Sequence, residues 1–121
     1  MLEKPKQPIS RIDKPWGYEL IWAKTPTYVA KILFVRSGES LSLQFHRIKE
    51  ETLFFESGEC WVETGREAGA LQRHRFVSGD SFHIPPGQLH RISAVSDSRI
   101  FEVSTPQLDD VVRLKDKYGR T

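Results

Sequence analysis

Gln44 and His46 stand two residues apart in a run that alternates apolar and polar side chains, and Glu51 follows five residues later. Farther along, a Pro85-Pro86-Gly87 turn delivers His90 to the start of a second alternating run. Side chains two apart on a strand point to the same side of a sheet. Gln44 and His46 can therefore share one face, and Glu51 and His90 can join them from neighbouring strands. An amide oxygen, two imidazoles and one carboxylate form a ligand set for a divalent metal, with Zn, Mn, Fe, Co and Ni all compatible. Glu50, next in line, competes with Glu51 for the carboxylate role.

The parity of the first run says which way its faces point. Ser40, Ser42, Gln44 and His46 fall on one side, and Leu41, Leu43 and Phe45 on the other. A solvated face would favour Lys, Glu and Thr, whereas small residues leading to two ligand-capable ones suit the lining of a cavity. The apolar side then packs outward against a second sheet or a partner. Leu41, Leu43 and Phe45, with Phe54 or Phe55 and Trp16, make more apolar area than a small barrel covers, so a homodimer is expected.

Short β-prone runs punctuated by turn residues carry these side chains. They fall near residues 18–23, 27–35, 40–46, 52–56, 60–64, 70–77, 81–84, 89–95 and 99–104, between Pro- and Gly-containing turns. Such a pattern predicts an all-β sandwich or barrel. After Pro106, residues 108–117 set Val111, Val112 and Leu114 on one side of two or three helical turns. There Asp109 and Asp110 would complement the dipole at the helix N-terminus. Residues 1–10, with two prolines, are expected to form a loose arm ahead of one domain over residues 11–121.

Composition excludes several classes. The 121 residues carry a formal net charge of +2 with both signs interspersed, too little for a nucleic-acid or membrane-surface binder. No apolar run reaches membrane length and no signal-peptide core is present, which points to the cytoplasm. The single cysteine, Cys60, cannot form an internal disulfide and reads as a buried, inert thiol.

With these residues in place, the chain resembles the cupin superfamily. Gly38, Gln44, His46, Glu51 and Gly58 follow the spacing of the first cupin motif, with Gln44 in place of its first histidine. Gly79, Pro85, Gly87 and His90 follow that of the second, and Ala94 departs at its asparagine. The flanking blocks are Lys14-Pro15-Trp16-Gly17-Tyr18-Glu19, His90-Arg91 and the tail Asp109-Asp110-Val111-Val112-Arg113-Leu114 with Tyr118-Gly119-Arg120. Together they resemble the cupin domain of type II mannose-6-phosphate isomerases. The resemblance implies a double-stranded β-helix (jelly-roll) barrel and one divalent metal on Gln44, His46, Glu51 and His90. It also implies aldose–ketose interconversion of mannose 6-phosphate and fructose 6-phosphate. The sequence departs from the family at Ile48, Thr52 and Leu53, where two histidines and a tryptophan are typical.

A phosphorylated sugar needs cations, and Arg91 is the first candidate, with Lys14, Lys31 and Arg47 behind it. For the proton-transfer group Glu102, His83 and a metal-held hydroxide stand side by side. Two other readings compete with the isomerase: a non-catalytic metallo-cupin that binds a sugar or other small ligand, and a cupin dioxygenase or lyase.

Overall fold

The computed structural model describes residues 3–6 and 8–120. Among these, eleven strands form two antiparallel sheets. The first sheet runs β1 (Ser10–Lys14), β2 (Gly17–Lys24), β3 (Val29–Val35), β10 (Ser98–Ser104), β5 (Glu51–Ser57) and β8 (Ser81–Ile84). The second runs β11 (Val112–Lys115), β4 (Leu43–Phe45), β9 (Leu89–Ala94), β6 (Glu59–Gly65) and β7 (Gln72–Val77). Their inner faces close on each other as the jelly-roll barrel expected from the sequence. The neighbours of β10, which lies between β3 and β5, are far from it in sequence, so the fold depends on long-range pairing.

Period-two alternation builds each strand. In β10, Ser98, Ile100, Glu102 and Ser104 are buried while Arg99, Phe101 and Val103 are exposed. The inward residues of neighbouring strands come into line, and they divide the interior into two zones. At one end Leu33, Val35, Phe55, Cys60, Val62, Ile92 and Ile100 form the apolar core. Full burial of each larger side chain contributes about 1.5–3 kcal/mol. At the other end the same strands present Lys31, Glu51, His90 and Glu102 to the interior, all buried. The Ser57-Gly58 turn between β5 and β6 requires glycine: Gly58 has φ +89°, and a Cβ there would lie 2.3 Å from Ser98 Oγ and 2.4 Å from the Asp97 carbonyl oxygen.

One expectation is corrected and two others are narrowed. Residues 108–117 do not form a helix. Val112–Lys115 is instead strand β11, paired with β4 through Val112↔Phe45 and Arg113↔Gln44. The adjacent β-branched Val111 and Val112 favour extended backbone, and β4 would otherwise be an open edge. Of the arm expected over residues 1–10, positions 1, 2 and 7 lie outside the described residues, and Ser10 already opens β1, paired with β2. Of the apolar side chains expected to favour dimerisation, Trp16, Leu43 and Phe55 are buried within the chain and Phe54 is exposed.

Candidate metal centre

Three strand positions and one loop residue build the polar end of the barrel. Gln44 on β4 is the direct cross-strand partner of His90 on β9, so both side chains project from one face. His46 follows β4 by one residue, and Glu51 opens β5 on the facing sheet. His46, Glu51 and His90 are only 3–4 % exposed, and their nearest ligand atoms all lie within 4.8 Å of one another. His46 Nε2 is 3.5 Å and His90 Nε2 3.4 Å from the same Glu51 oxygen, Oε1.

The outer ring nitrogens decide the tautomers. His46 Nδ1 lies 2.5 Å from the Asp110 carbonyl oxygen, and His90 Nδ1 lies 3.0 Å from that of Gln88. A carbonyl can only accept, so each Nδ1 carries a proton, which leaves Nε2 as the nitrogen that faces the interior and could ligate a cation. His46 Nε2 is buried and has no hydrogen-bond partner, a costly state for a polar atom unless a cation completes it. Gln44 contributes from the side: its Oε1 accepts from the Ser42 hydroxyl at 2.7 Å, and its Nε2 lies 3.5 Å from His90 Nε2. Turning the amide about its last bond presents oxygen inward instead, and the Ser42 hydroxyl, both donor and acceptor, satisfies either orientation. The donor set therefore fits a divalent cation.

Asp110 holds the loop that carries His46. Its carboxylate accepts backbone N–H bonds from Arg47 at 3.0 Å, Ile48 at 2.7 Å and Lys49 at 2.8 Å. Those bonds, from Lys49 first, pull the carboxyl down to about 2. Asp110 thus has a different task from the helix-dipole role expected of it. The Gly87 N–H donates to the His46 carbonyl at 2.7 Å, which ties the Pro-Pro-Gly turn to the same loop.

Lys49 is the residue that sequence reasoning missed. It sits in the charged run 47–50 yet is buried, with Nζ 3.0 Å from Glu51 Oε2 and 3.1 Å from Glu102 Oε2. Burial opposes its charge, but Glu102 and Glu51 outweigh burial and raise the ammonium above its ordinary value. Burial pushes Glu51 up, whereas the Lys49 ammonium on Oε2 pulls it down, and this carboxylate is held well below the usual range. Glu102 goes the other way: burial first, then the nearby Glu51 charge, raise its carboxyl above the ordinary value. The two neighbouring carboxyls thus shift in opposite directions, Glu51 towards the anion and Glu102 towards the protonated form.

Lys14, Lys31 and Glu102 line the cavity of about 240 Å³ above this cluster. His83, Arg91 and Arg47 do not. His83 alternates with the inward Phe82 and Ile84, so it faces outward, where its Nε2 meets Glu50 Oε2 at 2.5 Å. That contact commits Glu50 outside the barrel and leaves Glu51 as the inner carboxylate. Arg91 follows the inward His90 and therefore points outward, bound to Glu63 at 2.9 and 3.1 Å. Arg47 lies on the exposed loop, its guanidinium 5.7 Å from the Phe45 ring centre. Cys60 is buried against Ser98, and burial raises its thiol.

Comparison with known proteins agrees with this geometry. The family described as "Mannose-6-phosphate isomerase C-terminal" matches residues 3–116. The xanthan biosynthesis protein XanB of Xanthomonas campestris is 32% identical over 117 residues, 92% of this chain and 24% of that protein. The mannose-1-phosphate guanylyltransferase ManC of Salmonella typhimurium is 32% identical over 115 residues, 90% of this chain and 23% of that protein. The chain thus spans about a quarter of the length of these relatives. Among solved structures, KdgF from Halomonas aligns with a TM-score of 0.72 at 24% identity, covering 83% of this chain and 90% of that one. Bacillus subtilis oxalate decarboxylase, described with Mn(II) centres, aligns with a TM-score of 0.74 at 18% identity, over 86% of this chain and 29% of that one. The structural likenesses establish the cupin fold, and a family match running from before β1 through β11 establishes descent: this chain belongs to the mannose-6-phosphate isomerase C-terminal family of cupins.

Proposed function

We propose that the protein is a metal-dependent aldose–ketose isomerase acting on a hexose 6-phosphate, of the mannose 6-phosphate/fructose 6-phosphate type. One observation carries this reading: the buried side chains of His46, His90 and Glu51 converge at the floor of a cavity whose wall holds a second buried carboxyl, Glu102. A divalent ion held by His46, Glu51 and His90, with Gln44 beside them, would polarise the sugar's oxygens as a Lewis acid. Isomerisation moves a proton between adjacent carbons through an enediol. Glu102 is the group we assign to take and return that proton. Lys49, 3.1 Å from it, orients Glu102 and stabilises its ionised form. Burial of the cluster keeps bulk water from the enediol. The description of the matching family and the name of ManC speak of mannose phosphates and favour this substrate class.

The departures from the family pattern leave most of the cavity intact. Ile48 is 66% exposed, and Thr52 shares the outer face with its pairing partner His83; only Leu53 lines the cavity. No helix among the described residues is long and apolar enough to cross a membrane. We assign the activity to the cytoplasm, where sugar phosphates and reduced thiols coexist. We also propose a homodimer, paired through the outer face of the first sheet. There Phe54 and Phe101 stand side by side with ring centres 6.2 Å apart, and Val103 is exposed beside them.

The test is metal analysis of the purified chain together with a coupled assay for fructose 6-phosphate formed from mannose 6-phosphate. One divalent ion per chain and turnover are expected, with both lost in His46→Ala and in His90→Ala. Bound metal without turnover on any hexose phosphate would replace the isomerase by a ligand-binding module. Absence of bound metal would overturn both.

A further inference from the structure

Building on the isomerase reading, we infer that Arg113 and Arg120 on the C-terminal segment, with Lys14 opposite, form the subsite for the substrate's phosphate dianion. Arg91, the first cation expected from the sequence, is turned away from the cavity by strand parity and Arg47 by its exposed loop, while Lys14 and Lys31 line the wall. Register assigns the place to Arg113 instead. It is the direct partner of Gln44, which in turn pairs with His90. Directly paired residues share a sheet face, and neighbouring strands lie about 4.8 Å apart. Arg113 therefore stands on the inner face one strand from Gln44 and two from His90, within a sugar's length of the metal ligands.

Arg120 reaches the same cavity wall from the turn after β11. Asp116 Oδ2 accepts its Nε–H at 3.1 Å and Oδ1 accepts from Nη2 at 2.9 Å. That pairing uses two of the five guanidinium N–H bonds and sets the plane of the fork. Bidentate recognition of phosphate needs a guanidinium held in this way.

Charge bookkeeping points to the same class of ligand. The cavity wall carries Lys14, Lys31, Lys49, Arg113 and Arg120 against Glu19, Glu51, Glu102 and Asp109. Asp116 behind Arg120 makes the two signs equal. A divalent ion on the floor would leave two positive charges, which a phosphate monoester dianion matches and an uncharged sugar does not. The charges are also sorted by depth. Lys31 is bound to Glu19 at 3.5 Å, and Lys49 to Glu51 and Glu102. The side chains of Lys14, whose Nζ lies 4.0 Å from Glu19 Oε1, and of Arg120 are about a quarter exposed, at 26% and 24%. The phosphate end thus docks at the mouth while the reacting carbons reach the floor.

The experiment is isothermal titration of metal-loaded wild type, Arg113→Gln, Arg113→Lys and Arg120→Gln with mannose 6-phosphate, inorganic phosphate and mannose, with metal content measured on each. The two glutamine variants are expected to keep their metal and to bind mannose 6-phosphate and phosphate 10- to 100-fold more weakly. Arg113→Lys should be intermediate, and any mannose binding should not change. Should Arg113→Gln not fold, Arg113→Lys and Arg120→Gln decide. Unchanged phosphate affinity in the folded variants, or no phosphate binding by wild type, overturns the subsite while turnover of mannose 6-phosphate still upholds the isomerase. Conversely, arginine-dependent binding of inorganic phosphate without any turnover upholds the subsite and overturns the isomerase.

Discussion

Replacing Lys49 by methionine isolates the charge at the centre of the barrel. The two side chains have similar length and flexibility, so packing is largely kept while the ammonium is lost. Its nitrogen lies 3.0 Å from Glu51 and 3.1 Å from Glu102. At an effective dielectric constant of about 20, each contact is worth roughly 5 kcal/mol of gross attraction. Most of that is offset by the cost of burying three ions, so the pair contacts add little net stability. Removing only the cation is different, because both carboxylates then stay buried without their counter-ion, which costs about 3–5 kcal/mol. Glu102 can escape that cost by taking a proton, since burial and Glu51 already raise its carboxyl. A carboxyl whose folded pKa exceeds its unfolded pKa favours the fold at low pH and opposes it as pH rises through the folded value. The deficit of Lys49→Met should therefore be smallest in acid, where Glu102 is protonated, and grow as pH rises above the ordinary carboxylate range. Urea unfolding of chelator-treated protein, followed by fluorescence of the buried Trp16, measures it. A variant within about 1 kcal/mol of wild type at pH 8, or a deficit that ignores pH, would refute the reasoning.

Asp110→Asn removes the charge that gathers three backbone N–H groups around the His46 loop. Because the folded carboxyl is depressed from 3.8 to about 2, its stabilisation is present above pH 3.8 and is lost as pH falls through about 2. Thermal melts should thus show wild type above the variant at pH 6, with the gap closing in that acid window; a gap independent of pH would count against the assignment. Light scattering should find a dimer for wild type and a monomer for Phe101→Lys, with an unchanged metal content. A wild-type monomer at micromolar concentration would rule out the paired sheets.

Much of the site could be read before any coordinates. Alternation placed Gln44 and His46 on one strand face, and the Pro-Pro-Gly turn marked the arrival of His90. Of the expected substrate cations, Lys14 and Lys31 line the cavity, whereas Arg91 faces away from it. Arg91 adjoins His90 in sequence, and strand geometry makes neighbours face opposite ways. Arg113 lies more than twenty residues from His90 and reaches its surroundings only through β11 pairing with β4. Lys49 was illegible because nothing in the run Arg47-Ile48-Lys49-Glu50 distinguishes the one charge that is buried. The C-terminal strand was read as a helix because its local pattern fits both periods and only the open edge of β4 selects one.

Taken alone, the order of residues determined the all-β class, the two-faced strands and the chemical nature of the ligand set, since these follow from local periodicity and from side-chain type. Tertiary structure decided which carboxylate faces inward, which cations line the cavity and which proton each imidazole keeps. Those outcomes depend on register between strands far apart in the chain and on backbone carbonyls such as those of Asp110 and Gln88, whose positions no local pattern specifies.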